Sequence, residues 1–247
     1  MAFENDNDGF LLAHFLDAVA AYGIASRNTA YSFVREMIQY NMGAYGEPQR
    51  DRRRRPLIVT QQTREAIGSW VLIHLGSLDA LDGGGRCAKF RESPRLLTEL
   101  HPAIVRRILS SKTTTEPDGT FSLFTWMKDG GLVMDSMIAR LQDHPPGASR
   151  ICTTIASFEE LTGSVRITRT HLARKMALAE ADGQIGWRGK RGASTLWMSN
   201  GFIAEYDAYQ ADKLANIDAA FCDVLSRREV AEARTQIHSK NVPRDSR

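Results

Sequence analysis

Apolar positions along the chain recur at two spacings, three-to-four and two, and these divide it into helices and short strands. Over residues 9–22, Phe10, Leu11, His14, Phe15, Ala18 and Val19 share one face of a helix that Gly23 ends. Ser26 has the side chain of an N-cap for a second helix, RNTAYSFVREMIQYNM, running to about Met42. The turn-rich stretch Gly43 to Gln49 leads through an arginine run to Pro56-Leu57-Ile58-Val59-Thr60, whose β-branched residues predict a short strand. A long helix follows from Gln61 to about Asp82, with Ile67, Trp70, Val71, His74, Leu78 and Leu81 along its apolar side. Gly83-Gly84-Gly85 then reads as a helix stop and hinge.

The second half repeats this order. Residues 150–161 predict a helix broken at Thr162-Gly163, and Thr168 caps a second one, RTHLARKMALAEA, stopped at Gly183. Gln184 to Arg188 and Ala193 to Met198 flank a Gly189-Lys190-Arg191-Gly192 tip, the pattern of a β-hairpin. Ser199 or Asn200 caps a long helix carrying Phe202, Tyr206, Tyr209, Lys213, Ile217, Ala220 and Val224 on one face. Ile24-Ala25-Ser26-Arg27 aligns with Arg166-Ile167-Thr168-Arg169, Leu57–Thr60 with Leu196–Ser199, and Asp79-Ala80 with Asp218-Ala219. The hairpin is three residues shorter in the second copy.

The expected organisation is therefore an N-terminal unit (1–85), a helical connector (86–148), a C-terminal unit (149–228) and a polar tail (229–247). Within the connector, 94–110 and 121–141 read as helices separated by the polar turn SSKTTTEPDG, and Gly130-Gly131 can bend or split the second. That second helix is expected to pack as the first helix of the C-terminal copy.

Composition narrows the class. The 247 residues are 43% hydrophobic and 25% charged, which suits a globular chain with a core and excludes disorder as the main state. No apolar run approaches the roughly 18 residues of a membrane span. The acidic N-terminus lacks the basic-then-apolar order of a secretory signal, so a cytoplasmic protein is expected. Cys87, Cys152 and Cys222 are scattered, which fits reduced thiols better than disulfides or zinc. Phosphate-loop, dinucleotide, metalloprotease and hydrolase signatures are all missing, and the six histidines show no ligand spacing. The expectation is a protein with no catalytic role, metal or cofactor.

Charge carries more information in its distribution than in its net value of +3. Arg50, Arg52, Arg53, Arg54 and Arg55 lie within six residues, and Arg188, Lys190 and Arg191 form a second basic group. Arg86, Lys89, Arg91, Arg95, Arg106 and Arg107 add a broader basic zone between them. Clustered arginine suits a polyanion.

Two short helices followed by a basic hairpin make a winged helix-turn-helix, so the expected fold is mainly α with short β-hairpin wings, as tandem units joined by long helices. In such a unit the second helix enters the major groove and the hairpin reaches phosphates or the minor groove. The first copy presents Arg27, Asn28, Thr29, Tyr31, Ser32 and Arg35 on that helix and Arg52, Arg53, Arg54 and Arg55 on the wing. The second presents Arg169, Thr170, His171, Arg174 and Lys175, with Arg188, Lys190 and Arg191 on its wing.

SRNTAYSFVREMIQY and TRTHLARKMALAEADGQIGWRGKRGASTLWMS resemble the recognition helix and wing of bacterial winged-helix regulators, most closely the MarR type. The resemblance spans residues 150–226 well and 9–82 weakly. It implies a sequence-specific regulator of double-stranded DNA, expected to be a repressor, with a small aromatic effector near Trp70, Tyr206 or Tyr209. It also implies a homodimer, from which two copies in one chain depart; an intrachain pseudo-dimer is the alternative. A plasmid replication initiator with tandem winged helices, and a winged-helix protein-interaction module without DNA binding, stand beside this reading.

Overall fold

Two long-range antiparallel backbone pairings, Phe10 with Leu57 and residues 150–152 with residues 197–199, organise the chain. The computed structural model describes residues 10–47, 55–116, 119–125, 127, 129–163 and 167–240. It is mainly helical with two small antiparallel sheets, and it divides into two compact units. One comprises the residues up to Ser110 and those from Leu214 onward; the other is Ser111–Lys213. The expected connector is thus shared between the units, and residues 229–240, read as a polar tail, continue the final helix.

The first unit opens with α1 (Leu12–Ala21) and α2 (Arg27–Gln39). α1 starts later than the apolar pattern predicts, because Phe10 exchanges backbone hydrogen bonds with Leu57 at 2.9 and 2.8 Å and is held extended. The Ser26 hydroxyl accepts from the Thr29 N–H at 3.2 Å, capping α2 as expected. Strands β1 (Gly43–Tyr45) and β2 (Leu57–Val59) pair antiparallel, Gly43 opposite Val59.

Helix α3 (Gln61–Asp82) is capped by Thr60 and ends at Gly83 in the left-handed region (φ +73°), where a side chain would be strained. Its buried stripe is Thr63, Val71, Leu75 and Leu78. The predicted face is therefore rotated: Leu81 is 76% exposed, while Leu75 is fully buried. Two further helices, α4 (Arg86–Glu92) and α5 (Leu96–Ser110), bury Phe90, Leu96, Leu100 and Ile104 against Val71, Leu75 and Leu78. Ile217, Ala220, Phe221 and Val224 of the final helix complete this cluster.

The second unit contains α6 (Lys112–Thr115), α7 (Ser122–Thr125) and α8 (Gly130–Ile138). The helix predicted over 121–141 is split: Asp129 is left-handed at φ 56°, and Gly130 comes so close to the Phe124 carbonyl that a Cβ would lie 1.8 Å from its oxygen, an approach only glycine allows. β3 (Arg150–Cys152) and α9 (Phe158–Thr162) replace the single helix expected over 150–161. Ile151, Thr153 and Ile155 alternate inward with period two, and this alternation decides for extended chain. α10 (Arg169–Ala181), β4 (Ile185–Trp187), β5 (Leu196–Ser199) and the start of α11 (Asn200–Lys240) follow. The sheet order is β3-β5-β4, with Met198 opposite both Ile151 and Ile185.

Residues 10–82 and 150–224 share several local features. The sheet of the first runs Phe10, β2, β1, and that of the second β3, β5, β4. Ser26 and Thr168 cap helices of 13 residues each, and Ala30 and Val34 are buried on one as Leu172 and Met176 are on the other. Thr60 accepts from the Thr63 N–H at 3.4 Å, and Ser199 from the Phe202 N–H at 3.0 Å. Hairpin loops of 46–56 and 188–195 retain the three-residue difference in length.

Candidate nucleic-acid interface

In the second unit, burial of Leu172, Met176 and Ala179 fixes which side of α10 faces solvent. That side carries Arg169, Thr170 and Arg174 exposed, with His171 and Lys175 half-buried beside them. Arg169 lies over the Phe158 ring, its guanidinium carbon 5.9 Å from the centroid. The hairpin tip is a built turn: the Gly189 N–H donates to Ser194 Oγ at 2.9 Å, and that hydroxyl donates to the Lys190 carbonyl at 3.0 Å. Gly192 packs on Phe158, whose Cδ2 would lie 2.2 Å from an added Cβ. Arg188 and Lys190 are exposed on this tip, whereas Arg191 pairs with Glu180 of α10. The ion pair ties hairpin to helix and leaves Arg191 less available to a phosphate.

Sequence reasoning missed Arg150. Its guanidinium sits 4.2 Å over the Trp197 ring on the sheet, a cation–π contact between β3 and β5. Trp197 can lie there because Gly186 has no side chain; a Cβ would come within 2.5 Å of the ring. The signal was the alternation of Ile151, Thr153 and Ile155, which places Arg150 on a strand.

In the first unit, Arg27, Asn28, Thr29, Tyr31, Ser32 and Arg35 all lie on exposed positions of α2. Arg27 forms a 2.7 Å ion pair with Asp17 of α1, both side chains open to solvent. Positions matching Ala173 and Lys175 are Tyr31 and Phe33, 46% and 51% exposed, so the two helices present unlike surfaces. Of the wing residues, Arg55 is exposed; Arg52, Arg53 and Arg54 lie outside the described residues, as does Arg50.

Of the basic zone over residues 86–107, Lys89, Arg91, Arg95 and Arg106 are exposed, whereas Arg86 and Arg107 are engaged by carboxylates. Arg86 is largely buried among carboxylates, donating to Asp218 through Nε at 2.7 Å and to Asp82 and Asp79 through Nη1 at 2.7 and 3.3 Å. Arg107 pairs with Asp223. These guanidiniums join neighbouring helices through carboxylates. The Cys87 and Arg86 backbone N–H groups hold the Asp79 carboxyl below its ordinary range, and the Arg86 side chain does the same for Asp82.

Trp70 belongs to the first unit, where His74 Nδ1 lies 2.8 Å from its carbonyl oxygen, and Tyr206 and Tyr209 belong to the second. The three aromatics named for an effector therefore do not share one described unit. The Tyr206 hydroxyl donates to Asp135 at 2.7 Å, and burial with this bond pushes its pKa up. Burial also pulls the Lys213 ammonium down, opposed by Asp135. A pocket of about 420 Å³ in the second unit is lined by Lys112, Glu116, Phe121, Glu205 and Tyr209.

No protein-family model, curated protein or solved structure matches this chain. Its chemistry rests on the side chains themselves. Among the described residues, no helix is long and apolar enough to cross a membrane, and no group of three or more His, Cys, Asp or Glu is placed to hold a metal ion.

Proposed function

We propose that the protein is a sequence-specific, double-stranded DNA-binding transcriptional regulator, a repressor of the MarR-like winged-helix kind, built from tandem winged helix-turn-helix units. The observation that supports this most is in the second unit. A capped 13-residue helix carries Arg169, Thr170 and Arg174 on its solvent side, next to an ordered hairpin tip bearing exposed Arg188 and Lys190. A helix fits the major groove, and arginine there bonds guanine O6 and N7 in a fork. The neighbouring hairpin cations meet phosphates, which carry most of the affinity but no sequence information.

These two roles separate by mutation. Lys190→Ala weakens binding to all duplexes alike and lowers the salt slope by about one unit. Arg174→Ala instead costs on the order of 1–3 kcal/mol on the preferred duplex and little on random sequence. Equal losses for Arg174→Ala on both duplexes contradict base reading by α10.

A further inference from the structure

Resting on the reading above, we infer that one chain recognises an asymmetric two-part duplex site, one part guanine-rich and the other A·T-rich. Two observations carry this. The first is how the long helices meet. Within the first compact unit, α3 packs with the part of α11 from Leu214 onward through matched positions of the repeat. Leu75 and Leu78 of α3 lie in one apolar cluster with their counterparts Leu214 and Ile217. The matched carboxylates Asp79 and Asp218 both hold Arg86. Across a two-fold interface between identical chains, equivalent residues meet in this way. Here both contributors come from one chain, so this pairing of equivalent positions is made without a second copy.

The second observation is the difference between the groove-facing helices. Both begin with a capped arginine, Arg27 and Arg169, but the surfaces then diverge. α10 follows with Arg174 and Lys175, the donors that match guanine O6 and N7. α2 follows with Asn28, whose amide matches adenine N6 and N7, and with exposed Tyr31 and Phe33, apolar faces for the thymine methyl. Its Arg27 is also engaged by Asp17 at 2.7 Å, which reduces its pull on guanine. Unlike helices read unlike half-sites, so the site has no palindrome.

Sequencing of duplexes retained from a random pool by the full-length protein, with native mass spectrometry of the complex on the enriched duplex, tests this. The expected result is two unlike half-motifs and one 27.6 kDa chain per duplex. Asn28→Ala then relaxes preference in the A·T-rich part only, and Arg174→Ala in the guanine-rich part only, each by about tenfold. A palindromic motif carrying two chains overturns the inference while leaving the regulator reading intact, as does a single motif unaffected by Asn28→Ala. Absence of any enriched sequence overturns the regulator reading and this inference with it.

Discussion

Asp79 and Asp218, which align between the two halves of the sequence, both accept hydrogen bonds from Arg86. Asp79 takes the backbone N–H at 2.8 Å and Asp218 the Nε at 2.7 Å. One guanidinium thereby joins α3, the start of α4 and α11. Arg86 is 12% exposed, and removing it leaves its three carboxylate partners close together with no counter-charge. Arg86→Met is expected to destabilise the protein by about 1–3 kcal/mol, read as a lower urea midpoint at pH 7. An unchanged midpoint means that solvent already screens the cluster.

The carboxylates of that cluster and His101 respond to acid in different windows. Burial pulls the His101 imidazole down to about 4, from an ordinary value of 6.5. Between these values the unfolded chain binds a proton that the folded one does not, so stability falls as pH drops from 6.5 towards 4, by at most ~3 kcal/mol. Asp79 and Asp82 are lowered, so their contribution is present above the ordinary value of 3.8 and is lost only as pH falls further. Urea midpoints at pH 7, 5.5 and 4.5 should fall in that order, and His101→Gln should flatten the dependence. A flat profile for the unsubstituted protein contradicts a buried neutral histidine.

The matched caps should behave alike. Ser26→Ala and Thr168→Ala each remove one side-chain acceptor from the first turn of a 13-residue helix, at a cost of about 1 kcal/mol apiece. Urea denaturation of the two variants measures this directly. A loss confined to one of them would show that the other cap is dispensable.

Gly192 fixes the second hairpin. Its φ of +68° and the 2.2 Å approach of a Cβ to Phe158 both oppose a side chain. Gly192→Ala is expected to cost about 2–3 kcal/mol and to change the near-ultraviolet signal of Trp187, whose ring meets Phe158 edge-on at 5.2 Å. A stable variant with unaltered aromatic signal rules out the packing of this hairpin on α9.

Much of this architecture was legible from local chemistry. Ser26, Thr168, Gly83 and Gly183 mark helix ends through caps and left-handed backbone: α2 and α10 start, and α3 ends, where these residues place them. The likeness of α2 and α10 was legible for the same reason, since their caps and the buried pairs Ala30/Val34 and Leu172/Met176 keep the same spacing. Arg150 and Phe10 were misread because their extended conformation depends on partners 40 to 50 residues away, Ser199 and Leu57. The candidate interface was legible as clustered charge, but charge alone does not show which arginines are already engaged. Arg86 and Arg107 meet carboxylates of α11, and Arg191 meets Glu180.

The most direct test of the account is fluorescence anisotropy of the purified protein on a labelled duplex at several salt concentrations, with the same single strand as control. Tight binding to the duplex that falls steeply and log-linearly with salt is expected, as several phosphate contacts require. Binding that is absent at low salt, or that is equally strong on single strand, contradicts it.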